Sequence, residues 1–187
     1  SATISIAGVN TTEGSPTVSF NIVLSQPPSG GSATAIVNVN GEDYSVAIGK
    51  DGKGTVEVPN PNTEDVYNDP TSLTATFQSV IGGGYSQVVA GTSTPAQITD
   101  TIDPTTASIT LAQSDNDVLV TVSLDNPPAE DQPATVHFTV NGEEHTVTIP
   151  AGETSVDVPL NNLIGNNAYG DPTTVTAEVT SVAGGNF

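Results

Sequence analysis

Five blocks of sequence occur twice in this chain, in the same order, so any fold must hold two copies of one unit. Thr3-Ile4-Ser5-Ile6 matches Ser108-Ile109-Thr110-Leu111, and Val39-Asn40-Gly41-Glu42 matches Val140-Asn141-Gly142-Glu143. Thr55-Val56-Glu57-Val58-Pro59 matches Ser155-Val156-Asp157-Val158-Pro159, and Tyr67-Asn68-Asp69-Pro70-Thr71 matches Tyr169-Gly170-Asp171-Pro172-Thr173. Ser79-Val80-Ile81-Gly82-Gly83-Gly84-Tyr85 matches Ser181-Val182-Ala183-Gly184-Gly185-Asn186-Phe187. The offset drifts as it does when loops change length and strands do not. Each copy has about 100 residues, a usual domain size.

Within a copy the apolar residues recur with period two. Val18, Phe20, Ile22 and Leu24 share one face of 17–25, and Leu73, Ala75 and Phe77 share one face of 73–81. Such alternation marks half-buried strands. Strands are expected near 3–7, 17–25, 33–40, 43–49, 53–58 and 73–81, and over 86–100 with a break at Gly91. The second copy repeats the first six near 107–112, 118–125, 135–141, 144–150, 154–158 and 174–182. Asn40-Gly41 tolerates positive φ and predicts a tight hairpin. No apolar stripe has helical spacing, and Pro and Gly recur too often for long helices. The expected class is all-β, two tandem immunoglobulin-like β-sandwich domains, with a small barrel as the alternative. The antibody pattern of two Cys around a Trp is absent, since the chain has neither residue.

The expected domains are 1–103 and 104–187. Phe187 aligns with Tyr85, so 86–103 has no counterpart and the second domain lacks its last strand as written. An open sheet edge is therefore expected, along the strand at 174–182. A permuted arrangement, in which 86–100 pairs with the second domain, is the alternative. The chain begins at Ser1 and contains no Met, which suggests a processed protein or a fragment.

The charge of −19 argues against nucleic acid and against an anionic membrane, both of which call for basic surfaces. Without Cys there is no disulfide, zinc thiolate or cysteine nucleophile. Thr and Val are the commonest residues, which answers the suspicion of disorder raised by the charge. No run is long enough for a transmembrane helix, so no direct membrane insertion is expected.

The linker Ile98-Thr99-Asp100-Thr101-Ile102-Asp103-Pro104-Thr105-Thr106 runs straight into a strand, and Asp65-Val66-Tyr67-Asn68-Asp69-Pro70 precedes another. With the terminal Gly184-Gly185-Asn186-Phe187, these strings resemble the Ig-like extender repeats of large bacterial RTX-type surface adhesins, the biofilm-adhesin class. The resemblance covers nearly the whole chain. It implies tandem sandwiches that project a distal binding module from the outer membrane, and calcium at or near the junctions. Copy 1 departs from the pattern at Gly83-Gly84-Tyr85, and copy 2 has nothing matching Glu13-Gly14.

Catalysis finds no support. His137 alternates with Val136 and Phe138 and should face solvent; His145 starts a strand beside an exposed turn. There is no G-x-S-x-G elbow, and Gly82-Gly83-Gly84 is followed by neither helix nor Lys. The chain is therefore read as not an enzyme.

Calcium, which takes six to eight hard oxygen ligands, suits these acidic loops better. The metal candidates are Asp100 and Asp103, three apart in the linker, then Asp65 and Asp69. Sandwich topology gathers Glu13, Glu42, Asp43, Asp65 and Asp69 at the pole near Asp100. In the second copy the loops offer Asp125, Glu130, Asp131 and Glu153, and Asp115 with Asp117 could hold a separate ion. Asp171 is weaker, because its partner position is Asn167.

The expected function is a structural extender of a secreted, cell-surface bacterial adhesin, rigidified by Ca2+ at the interdomain junction. Its partners are then neighbouring repeats of the same polypeptide and calcium ions. The rivals are a module that binds sugar or protein, which needs a pocket or an exposed aromatic patch, and an accessory domain of a hydrolase. Tyr67 and Tyr169 occupy matched positions, which favours a structural role for both.

Overall fold

The computed structural model describes residues 1–161 and 174–187. These residues fold as strands, turns and loops with no helix, so none of them forms a helix able to cross a membrane. They divide into two compact units: Ser1–Asp65 with Asp69–Thr101, and Val66–Asn68 with Ile102–Phe187.

The first unit begins with β1 (Ala2–Gly8), β2 (Thr11–Thr12), β3 (Thr17–Leu24), β4 (Ala33–Val39), β5 (Glu42–Ile48) and β6 (Lys53–Pro59). It continues with β7 (Thr71–Leu73), β8 (Ala75–Gly82), β9 (Val88–Thr94) and β10 (Ala96–Thr99). One sheet has the order β6-β3-β1-β9, a second β5-β4-β8 and a small third β2-β10-β7. Ile4, Phe20, Ile22 and Val58 of the first sheet and Val37, Val46 and Ile48 of the second form one buried core. This is the layered packing that period-two alternation requires.

Asn40, at φ 52°, and Gly41, at φ 85°, make the tight β4–β5 turn that their residue types predict. The expected break at Gly91 is a register shift in the parallel β1–β9 pair: Ile4 faces Ala90, but Ile6 faces Ser93. A Cβ on Gly91 would lie 2.5 Å from Thr3 Cγ2 and 2.9 Å from the Ile4 carbonyl oxygen, so the close approach of these strands needs glycine.

The second unit contains β11 (Ala107–Ser114), β12 (Asp117–Leu124), β13 (Ala134–Val140), β14 (Glu143–Ile149), β15 (Ser155–Leu160) and β16 (Ala177–Gly184). They form two sheets, β11-β12-β15 and β14-β13-β16, around Val118, Val120, Val122, Val136, Phe138 and Ile149. The repeat extends to an irregularity: β4–β8 shifts register between Ile36 and Val37, and β13–β16 shifts at the matching His137–Phe138 step. Asn167, Tyr169 and Asp171 lie outside the described residues.

One alternative is set aside and two expectations change. The segment over 86–100 pairs through β9 with β1, and through β10 with β2 and β7, so the permuted pairing does not occur. Among the described residues, β11 pairs on one side only, with β12. The expected edge, β16, is a sheet edge too, but so is its counterpart β8 in the first unit. The matched Ile4 and Ile109 are also not structurally equivalent: Ile4 faces Leu24, whereas Ala107 faces the corresponding Leu124. A slip of two keeps every side chain on its face, so the apolar pattern tolerates it.

His137 is exposed, as the alternation through Val136 and Phe138 predicts. His145 is not a rim residue: it is half-buried and stacks on Phe138 with ring centroids 5.5 Å apart. Facing Phe138 in the β13–β14 register, it shares the inward side of that pair.

Candidate metal centre

The acidic pole of the first unit is built on a switch of sheets. After β1, the chain crosses to run parallel to β10 as β2, with Thr11 facing Ile98 and Thr12 facing Thr99. The next backbone N–H, that of Glu13, donates to the Thr99 carbonyl at 2.9 Å. The Gly14 N–H donates to the Asn62 carbonyl at 3.1 Å, which ties this turn to the loop over 60–70. Asn62 is itself buried; its Nδ2 donates to the carbonyl of Asp69 at 3.1 Å and to Asp69 Oδ1 at 3.3 Å.

These bonds deliver Glu13 into the interior at 2 % exposure. Its Oε1 accepts from the Thr101 N–H at 3.0 Å and from Thr101 Oγ1 at 2.7 Å. Its Oε2 is buried and has no hydrogen-bond partner. Carboxylate oxygens of Glu13, Asp65 and Asp69 lie within 4.8 Å of one another. Asp100 joins them, its Oδ1 accepting from the Asp69 N–H at 3.4 Å. Glu64 adds a further carboxylate nearby, because Thr101 Oγ1 also lies 2.5 Å from Glu64 Oε1. One hydroxyl proton serves only one of these two carboxylates at a time.

The Asp69 carboxyl is pushed above its ordinary range. Desolvation is the main cause, and the charges of Asp65, Glu13 and Asp100 add to it, while the Asn62 amide works in the opposite direction. Carboxylates held this close repel, and a buried carboxylate oxygen without a donor is costly. A divalent cation would remove both penalties. Every donor here is a hard carboxylate oxygen, with no sulfur and no imidazole, a set of the kind that calcium takes.

Of the four candidate ligands named from the sequence, Asp65, Asp69 and Asp100 come together in the first unit. Asp103 is half-buried and is counted with the second unit. Glu42 and Asp43 do not join the cluster: Asp43 Oδ1 accepts from Asn38 Nδ2, and Glu42 Oε2 from the Tyr44 hydroxyl. Glu13 is central, though the sequence offered it only as a neighbour of Asp100, and Glu64 was missed. The one signal for Glu13 was its position in a loop that the second copy lacks.

In the second unit, Asp125, Glu130, Asp131 and Glu153 are exposed. No described group of three metal-ligating side chains within 4.8 Å lies wholly within that unit. Asp115 and Asp117 flank the tight β11–β12 turn, in which Ser114 faces Asp117. Tyr67 is counted with this unit: its hydroxyl donates to the Pro127 carbonyl at 2.7 Å, and its ring stacks on Phe187 at 5.9 Å. No Phe or Tyr side chain among the described residues is exposed.

Residues 103–187 match the family model described as the LapA domain, an adhesin-associated domain. No curated protein matches the chain. One similar solved structure is described as giving structural insight into host cell surface retention of a 1.5-MDa bacterial ice-binding adhesin. It is 17% identical, with a TM-score of 0.31 over 98% of this chain. The chain spans 63% of the length of that relative. The second half of this protein is thus similar to a domain associated with bacterial adhesins.

Proposed function

We propose that this chain is a structural extender segment of a secreted bacterial surface adhesin, built from immunoglobulin-like repeats and stiffened by calcium. The observation that carries the reading is the buried, unpartnered Oε2 of Glu13 among the carboxylates of Asp65 and Asp69. Asp100 stands beside them, immediately before Thr101, the last residue of the first unit. A cation held by these residues would fix the conformation in which the chain leaves that unit.

Three further observations support the reading. The chain repeats one sandwich-forming pattern. Its second half is similar to an adhesin-associated domain. Among the described residues the Phe and Tyr side chains are spent on packing, with Tyr44 and Tyr85 against the first core and Phe187 against the second, which speaks against a ligand-binding platform. The net charge of −19 suits the role, because it keeps neighbouring fibres apart and makes order depend on a divalent cation. Nothing in the reading requires catalysis.

Small-angle scattering with millimolar calcium and with EDTA tests the extender role. Calcium should give a narrower distribution of interatomic distances with a longer maximum. Identical profiles in the two conditions would contradict calcium-dependent stiffening.

A further inference from the structure

We propose that Asn40 is a site of spontaneous deamidation in the folded protein, with water as the co-reactant, and that its twin Asn141 is shielded from the same reaction. The inference does not depend on the calcium reading. Asn-Gly occurs at two places in the chain, each within the same tetrapeptide: Val39-Asn40-Gly41-Glu42 and Val140-Asn141-Gly142-Glu143. Local sequence therefore gives both asparagines the same intrinsic reactivity, and any difference between them is made by the fold.

The reaction is a cyclisation. The backbone nitrogen of the glycine, having lost its proton, attacks the side-chain Cγ of the asparagine. The new N–Cγ bond forms, the Cγ–Nδ2 bond breaks, and the amide nitrogen leaves as ammonia. Water then opens the cyclic imide at either carbonyl, giving Asp or isoAsp. Glycine favours the attack because no side chain crowds its nitrogen. Both turns are exposed, and a Cβ on Gly41 or Gly142 would meet nothing within 4 Å, so solvent and space are available at each. Asn40 at φ 52° and Asn141 at φ 51° both sit in tight turns, and the imide can close only when such a turn opens locally.

The two turns are held shut differently. Asn141 is clamped at two points to one residue: its N–H donates to the Thr176 carbonyl at 2.8 Å, and its Oδ1 accepts from the Thr176 N–H at 3.1 Å. The second bond fixes the very side chain that must swing onto Gly142. Among the described residues Asn40 has no equivalent of either bond. Its turn is held instead by the Gly41 N–H, which donates to Asn38 Oδ1 at 3.2 Å, and position 38 corresponds to Thr139 in the second copy. That single long, exposed bond leaves the Asn40 side chain free to rotate. One further bond to break, at the usual net strength of such bonds, slows opening of the second turn by roughly 2- to 12-fold. Conversion of Asn40 would put a third acidic residue beside Glu42 and Asp43, and the isoAsp form would lengthen the backbone of the turn.

The test incubates the full chain at mildly alkaline pH and follows both tetrapeptides by peptide mapping with mass spectrometry, scoring isoAsp separately from Asp. In the folded protein Asn40 should convert at least ~2-fold faster than Asn141, with isoAsp among its products. In strong urea the two rates should coincide. Thr176→Pro, which removes the N–H that holds Asn141 Oδ1, should raise the Asn141 rate towards that of Asn40 and leave Asn40 unchanged. Asn38→Thr, which frees the Gly41 N–H and leaves the second unit untouched, should speed Asn40 further. Three outcomes would overturn the proposal: equal rates in the folded chain, faster conversion at Asn141, or no isoAsp from Asn40 over a time in which the unfolded chain converts fully.

Discussion

The Thr101 N–H donates to Oε1 of Glu13 at 3.0 Å and the Thr101 hydroxyl lies 2.7 Å from the same oxygen, while the other oxygen, Oε2, is buried and has no hydrogen-bond partner. The arrangement orients the carboxylate firmly and satisfies only half of it. A buried carboxylate oxygen left in this state is costly unless a donor or a cation meets it.

Glu13→Gln tests for a cation. The substitution keeps the shape and removes one charge from a crowded cluster. In EDTA the variant should melt at or above the parent's temperature, since repulsion falls. In millimolar calcium it should melt below the parent, by the ~1.4 kcal/mol that a site at ten times its Kd contributes. Differential scanning calorimetry in both buffers checks the reversal.

Asp69 sets a pH dependence of definite sign. Its folded-state pKa is raised, so protonation favours the folded state. Without metal, stability should rise as pH falls through that raised value towards the ordinary carboxylate range near ~4. Above both values the charged carboxylate contributes a constant penalty. Calcium affinity should move the other way, falling as protons compete for the same oxygens. Denaturant melts across this range, with Asp69→Asn as the control in which the local slope flattens, measure the effect.

Gly91→Val should destabilise the first unit by about 1–3 kcal/mol, because its Cβ would overlap Thr3 and the Ile4 carbonyl. Urea unfolding with amide-resolved detection should show the loss in β1 and β9, with β12 and β13 unchanged.

Tyr67→Phe removes the hydroxyl that bonds to the Pro127 carbonyl and keeps the stack on Phe187. It should cost about 0.5–1.5 kcal/mol, and Tyr67→Ala more, since the ring contact is lost as well. Thermal melts of the two variants order these losses.

Much of this molecule is legible from local pattern. Val18, Phe20, Ile22 and Leu24 alternate because one face of β3 meets the core, and all four are buried. Asn40-Gly41 announces its turn, and His137 its exposure. What escapes local reading depends on distant partners. Thr11-Thr12-Glu13-Gly14-Ser15-Pro16 reads as a solvated turn, and Glu13 is buried only because Asn62, Thr99 and Thr101 close around it. The parallel β1–β9 pair leaves no periodic mark, so the strand that β1 takes on its second side was not legible. The two-residue slip between Ile4 and Ile109 is invisible for a related reason: period-two patterns match at every even offset.

Isothermal titration of calcium into the EDTA-treated, dialysed protein tests the central claim most directly, with Glu13→Gln and Asp69→Asn titrated alongside. The account predicts saturable binding to the parent with a Kd on the order of 10⁻⁴–10⁻³ M, weakened at least ~10-fold in both variants, with magnesium a poor substitute. Heats no larger than dilution for the parent, or equal binding by the parent and both variants, would contradict it.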